Sequence, residues 1–301
     1  MNGTTTAQLA EKTAKAVTGS VEEWTGFLQS AARLYKYSYP EQLLIYAQRP
    51  DATACASYEI WNQTMRRYVR RGARGIALPD GAGAVRYVFD VADTGARKSS
   101  REVKTWALDE NNREAVAHAL ETQYSSAAKL GIAGQLEEIA MQQSMDYWQW
   151  HQDELRGIVD GSFLEGYDEL NLEIAFRNTA AASVKYMLLS RCNLAREYQI
   201  EPEELAGVLE WNTSAASGAL GSAVSELSEG VLRQIERTIR QYERSQIHDE
   251  RTDVHEERRV LDSRSDSSRT VGDAEQIRTD AGMVSEGASD DHLQQPAPER
   301  K

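Results

Sequence analysis

Cysteine is nearly missing from this chain: Cys55 and Cys192 are the only two in 301 residues. Two thiols cannot build a disulfide scaffold, and neither sits in a CxxC pair of the kind that holds zinc or cycles between redox states. Both are expected to be reduced packing residues. Long apolar runs are missing too, none approaching the roughly 20 residues that cross a bilayer. The opening MNGTTTAQLAEKTAKAV has neither the basic flank nor the apolar stretch of a secretory leader, so the expectation is a cytoplasmic protein without a membrane partner. Histidine is scarce: His118, His151, His248, His255 and His292 are all there are, and none belongs to an HExxH zinc motif. There is no GxxxxGK[ST], no GxGxxG and no GxSxG, and no trio of nucleophile, base and orienter can be assigned. The expectation is a protein that is not an enzyme and takes no cofactor and no metal.

What is present is charge, unevenly placed. A composition of 41% hydrophobic and 27% charged residues is ordinary for globular material, and the net charge is −13. Yet residues 66–74 (RRYVRRGAR) hold five arginines, one aromatic and no carboxylate. Residues 20–105 carry 13 Lys/Arg against 9 Asp/Glu, a surplus of four, which leaves −17 for the rest of the chain. Aromatics are dense in the same segment. Residues 246–301 instead have no Trp, Tyr or Phe and 14 Asp/Glu against 8 Lys/Arg. A stretch of that composition buries too little apolar area to offset its ordering entropy, so it reads as a disordered acidic tail. Residues 1–19 read as a flexible arm on similar grounds.

Periodicity divides what lies between. Trp24, Phe27, Leu28, Ala31 and Leu34 recur at helical spacing, with Ser20 an N-cap and Glu23 at the capping-box position. A second helix starts at Pro40 and stops before Arg49 and Pro50. The period then drops towards two: runs at 68–70, 75–78 and 85–89 are separated by Gly72 and by Pro79, Asp80 and Gly81, which predicts a small antiparallel sheet. From Glu110 to Glu243 nearly every stretch reads as helix; Leu232, Ile235, Ile239 and Tyr242 recur at three and four residues. Gly166 and Asn193 are candidate helix ends. The fold class is therefore α+β: a helix-plus-antiparallel-sheet module at 20–105, an all-α domain at 106–245 and the tail at 246–301.

Single strands are bound by positive grooves that track phosphates and by aromatic faces on which bases stack, each stacked base worth ~1–3 kcal/mol. Alternation in a strand sends Arg67, Val69 and Arg71 to one face and Arg66, Tyr68 and Arg70 to the other. One face then offers two guanidiniums around a phenol ring, which suits phosphate and base together. Gly72 and Gly75, around Arg74, let the backbone turn close to a ligand. Trp61, Lys36, Tyr37, Tyr39 and Arg49 are second-rank candidates. The plainer reading of the same run is an edge strand whose positive charge discourages strand pairing. Trp24, Trp61 and Phe89 fit a core as well as a contact. Asp51, Asp90 and Asp93 fit turns and caps better than a metal site. In the pair Trp148 and Trp150, adjacent helix faces send at least one ring to the core.

The string YKYSYPEQLLIYAQRPDATACASYEIWNQTMRRYVRRGARGIAL, followed by VRYVFDVADT, resembles the N-terminal domain of ArdC-type antirestriction proteins. It is most similar to the version at the head of large conjugative-element proteins, where the module precedes helicase and methyltransferase regions. The matching pieces are the Trp24 helix, Tyr37 and Ser38 with Gln42, Leu43, Leu44 and Ile45, Gln48 with Pro50, Asp51, Ala52 and Thr53, then Trp61, a basic hairpin at 69–76, and Phe89 and Asp90 running to Asp93 and Thr94. They come in order and cover a quarter to a third of the chain. The resemblance implies a single-stranded DNA-binding module carried by mobile DNA. ArdC-like proteins also carry a zinc peptidase domain, and here His118 is followed by Ala119, Leu120 and Glu121, which leaves no metal ligands in that pattern. The stretch LEIAFRNTAAASVKYMLLSRCNL resembles the helix after the peptidase site, as if packing were kept and the metal lost.

Two functional expectations follow. One is a non-enzymatic single-stranded DNA-binding protein of a conjugative or integrative element or phage, with antirestriction as a role the resemblance implies. The other is an interaction or scaffold module, a detached N-terminal part of a larger helicase or methyltransferase protein, with proteins of the conjugation or replication machinery as partners. The tail at 246–301 is placed, by charge, to compete with DNA for the basic run.

Overall fold

The first helix is one the composition did not suggest. In the structure, a computed structural model, α1 spans Gly3–Val17 and is capped by Asn2, whose side chain accepts from the Thr5 amide at 2.9 Å. Ala14 and Val17 are buried in the main core, and Leu9 and Ala10 lie against a second, smaller one. The 1–19 segment is thus not a flexible arm: four small apolar side chains on one face suffice once neighbours cover them. The structure describes residues 2–272 apart from Ala82, Arg196, Glu197 and Gln199, with side chains described as far as His248.

Helix α2 (Val21–Arg33) begins where Ser20 accepts from the Glu23 amide at 3.1 Å, and α3 (Tyr39–Gln48) begins with a Ser38 and Glu41 capping box and Pro40 in its first turn. Then come β1 (Cys55–Ser57), a tight helical turn at Ile60–Thr64, β2 (Tyr68–Val69), β3 (Ile76–Pro79), β4 (Val85–Asp90) and β5 (Thr94–Gly95). Strands β1, β4 and β3 form one antiparallel sheet, with Ala56 opposite Phe89 and Ala77 opposite Tyr87. Its inner face meets α3 and α1 around Leu34, Leu44, Ile45, Ile76, Leu78 and Val88.

The basic hairpin at 69–76 does not form. Strand β2 pairs with β5, Tyr68 opposite Gly95 and Val69 opposite Thr94, as a separate two-stranded ladder. The reason lies on the free edge of β3. Gln48 of α3 accepts from the Ala77 amide at 2.9 Å and donates to the Ala77 carbonyl at 3.0 Å. Both backbone groups that a neighbouring strand would need are thereby satisfied by one side chain.

The remaining helices are α4 (Arg113–Tyr124), α5 (Gly131–Ile158), α6 (Glu169–Arg191), the single turn α7 (Pro202–Leu205) and α8 (Ser214–Gly272). Asn193, at φ 59°, ends α6 as expected, whereas the turn after α5 uses Gly161, at φ 74°, rather than Gly166. The boundary expected near residue 106 is absent. Residues 1–244 are one compact unit, and a single core runs from Trp24, Phe27 and Leu28 through Leu136, Phe176, Val184 and Trp211 to Leu232 and Ile239. The Trp24 indole donates to Ser183 of α6 at 2.9 Å, where both are buried. Two modules with separate cores would need polar or charged facing surfaces. Instead α2 turns its apolar stripe onto α6.

Polar groups join the same parts. The Tyr35 hydroxyl donates to Glu236 of α8 at 2.5 Å and accepts from the Trp106 indole at 3.0 Å. Lys36 reaches the same carboxylate at 2.6 Å and Arg240 at 3.1 Å. Burial by itself raises the Glu236 carboxyl, but the hydrogen bonds from Lys36 and Tyr35 more than offset it and hold it down to about 2.

The second unit, Ser245–Lys301, has helical backbone through Gly272. Residues 246–271 contain neither Pro nor Gly to interrupt that backbone. The rest of the tail, and its competition with DNA, lie outside the described residues. Among the described residues no helix is long and apolar enough to cross a membrane.

Tyr35→Phe strips the Trp106 indole of its acceptor and Glu236 of a donor, and is expected to lower stability by about 1–3 kcal/mol in a urea titration. Because the Glu236 pKa is depressed, its contribution is complete above the ordinary carboxylate range and disappears as pH falls towards about 2. The stability gap between the native protein and Glu236→Gln should accordingly narrow as titrations move from about pH 5 downwards.

Candidate nucleic-acid interface

The arginine run crosses the β2–β5 ladder and the turn that leaves it. Arg66 takes a left-handed backbone, φ 54°, just before β2, and its carbonyl accepts from the Ser100 hydroxyl at 2.7 Å. Arg67 donates through Nε to Thr94 Oγ1 at 2.8 Å. The Arg70 amide donates to the Asp93 carbonyl, and its Nη1 to the Ala92 carbonyl at 3.2 Å. A turn at Gly72, φ 86°, then carries the exposed Arg71 and Arg74 to β3. Strict strand alternation thus covers only Tyr68 and Val69.

Tyr68 is 42% exposed and the far end of its ring lies against Gly95 of β5: a Cβ there would meet it at 2.3 Å. The Arg97 guanidinium sits over the same ring, 5.6 Å from its centroid. Arg97 belongs to a second basic run, with Lys98 and Arg101, which sequence reasoning did not select. Its charges are visible in the text ARKSSR, but only the β2–β5 pairing and the bond from the Arg101 amide to the Met65 carbonyl at 2.9 Å bring it beside the first run.

The two runs hold eight cations, Arg66, Arg67, Arg70, Arg71, Arg74, Arg97, Lys98 and Arg101, and no carboxylate; Asp93 stands between them, just before β5. Asp93 is taken: it pairs with Arg49 of the turn after α3, which also reaches Asp51 at 3.6 Å. Among the described residues none of the eight cations forms an ion pair. Unpaired guanidiniums clustered on an otherwise acidic chain make a surface for polyanions.

The second-rank candidates do not join this surface. Trp61 is buried, its indole donating to the Phe89 carbonyl at 2.8 Å, so it packs the sheet. Tyr39 is buried under α8, where its ring leaves no room for a Cβ on Gly221. Tyr37 donates to the Cys55 carbonyl at 2.8 Å, and burial, then Cys55, raises its phenol pKa. Lys36 is held by Glu236 and Arg49 by Asp93; that hydrogen bond raises the Arg49 pKa further. These residues looked available because a sequence does not say which aromatics and cations the core will consume.

Other groups singled out by chemistry have structural duties. Asp90, buried, accepts from the amides of Thr53, Ala54 and Ala92. Trp148 is core and Trp150 is 84% exposed. His151 stacks on Tyr147 at 3.9 Å between centroids. Burial pushes the Cys55 and Cys192 thiols up to about 12, which makes them poor nucleophiles. Among the described residues no three His, Cys, Asp or Glu side chains are grouped to hold a metal.

Compared with protein-family models, with curated proteins and with solved structures, the chain matches none.

Gly95→Ala should push the Tyr68 ring off the ladder at little cost to the fold, because the clashing atoms are the far end of an exposed side chain. NMR should show displaced Tyr68 ring resonances, with stability changed by less than about 1 kcal/mol.

Proposed function

We propose that the chain binds single-stranded DNA, without catalysing a reaction on it, through the β2–β5 ladder and the two basic runs that flank it. The observation that carries this reading is the half-exposed Tyr68 ring among eight cations that no carboxylate neutralises. The exposed part of the ring can meet a base, with Arg97 as its cation partner, and the surrounding guanidiniums can track the neighbouring phosphates. Duplex DNA is a poorer match, since reading a major groove calls for a helix or a longer β-ribbon than two residues per strand. The reading agrees with what the resemblance to ArdC-type N-terminal domains implies, including a role in the handling or protection of DNA transferred by a mobile element.

A second reading, a protein-interaction module, rests on a different observation. Met141 on α5, Leu170 on α6, and Trp150 and Phe163 at the α5 end are each more than 60% exposed, at 62%, 64%, 84% and 71%. Large apolar side chains left in water favour a protein partner on the helical side.

Fluorescence anisotropy with single-stranded DNA, duplex DNA and RNA at two salt concentrations separates these readings. Single-stranded DNA should bind most tightly, with log K falling by about 0.7 per unit log salt for each phosphate neutralised. Replacing Arg70, Arg71 and Arg74 together by alanine should flatten that slope by about 2 without altering the melting temperature. Unchanged affinity in the triple variant would remove the ladder as the binding surface.

A further inference from the structure

Away from the ladder, two more arginines face a shared cavity of about 410 Å³ between the C-terminal ends of α2 and α6. Arg33 and Arg191 line it, together with the side chains of Gln29, Thr53, Thr105 and Ser190. Each guanidinium is fixed by backbone carbonyls rather than by carboxylates. Arg33 donates through Nε to Ala52 at 3.0 Å and through Nη2 to Pro50 at 2.9 Å. Arg191 donates through Nη2 to Trp106 at 3.0 Å while its guanidinium lies 3.5 Å from the centre of the Trp106 ring. Arg33 Nη1, and Arg191 Nε and Nη1, keep their hydrogens uncommitted among the described residues.

No acidic residue lines the cavity. The carboxylates that act on these arginines from further away are engaged elsewhere: Asp51 with Arg49, Asp90 with three backbone amides, Glu236 with Tyr35, Lys36 and Arg240. The ends of α2 and α6 contribute about half a negative charge each. Two full positive charges therefore remain only partly offset, and partial burial lowers the pKa of both arginines. A pair of anchored guanidiniums with free donors, lined also by the hydroxyl residues Thr105 and Ser190, is complementary to a tetrahedral oxyanion. The cavity also exceeds a bare ion in size, leaving room for the group that bears it.

We infer that this cavity is a binding site for a phosphate group, built from Arg33 and Arg191 with Thr105 and Ser190 as neutral donors. The inference stands apart from the strand-binding reading, because the cavity shares no residue with the ladder. A free phosphate and the terminal phosphate of a nucleic-acid strand present the same chemistry, and the two are told apart by the probe.

The test is isothermal titration of the full chain with inorganic phosphate at constant ionic strength, then with a short oligonucleotide bearing a 5′-phosphate and its dephosphorylated twin. Saturable binding of inorganic phosphate is expected. Thr105→Asp places a carboxylate in the cavity at an exposed position and should weaken binding by at least about tenfold, whereas Thr105→Ser should keep it. Arg191→Lys, which keeps the charge but not the fork, should weaken binding by an intermediate amount. The alanine triple variant at Arg70, Arg71 and Arg74 should bind inorganic phosphate like the native chain, so the two readings fail separately. A preference for the 5′-phosphorylated oligonucleotide over its twin in that variant would identify a strand end as the source; equal binding of the two would identify free phosphate. No saturable phosphate binding, or native affinity in a folded Thr105→Asp variant, overturns the site.

Discussion

The Glu236 carboxylate is the joint on which the molecule is assembled. It is nearly buried, and a buried charge is tolerated only when partners replace its water. Tyr35 and Lys36, from the loop between α2 and α3, and Arg240, one turn further along α8, supply those partners. Trp106 then donates to Tyr35, and Arg191 covers Trp106. One acidic residue late in the chain thus ties the loop between α2 and α3, and through it the linker after β5 and the end of α6, to α8. The phosphate cavity between Arg33 and Arg191 borders the same assembly.

That joint also explains how residues are divided between structure and surface. Lys36, Tyr35, Tyr39 and Trp61 are consumed in holding helices and sheet together, each by a hydrogen bond, an ion pair or complete burial. Arg49 neutralises the one carboxylate that stands among the basic runs. What remains uncommitted is a set of exposed guanidiniums around one phenol ring. Salt bridges inside the fold leave the ladder positive although the chain as a whole is acidic.

Edge competition shapes the ladder. A strand edge offers its backbone groups to whatever reaches them first, and Gln48, the last residue of α3, reaches Ala77 with both halves of its amide. Strand β2 is displaced to β5, which brings Arg97, Lys98 and Arg101 to Tyr68. Had the hairpin closed on β3, the ring would have faced different neighbours and the second basic run would have been remote.

Much of the local structure was legible in the residues. Ser20 with Glu23 and Pro40 announce helix starts because a capping hydrogen bond and a proline's fixed φ act within four residues. The 2-residue period of 85–89 gives β4, and the charge imbalance points to the 66–74 run. The α+β class follows from those local rules. Long-range choices were not legible: that α1 is covered rather than free, that one core unites residues 14 to 239, that Gln48 excludes β2 from β3, and that Tyr39 and Trp61 are buried and Tyr37 half-buried. Each depends on which distant surface arrives first at an unsatisfied polar group or an apolar stripe. Sequence by itself determined the caps, the periods and the sign of the local charge, since those act over a few residues. Only the tertiary structure decided which aromatics and cations remain at the surface, because that is settled by contacts between residues far apart in the chain.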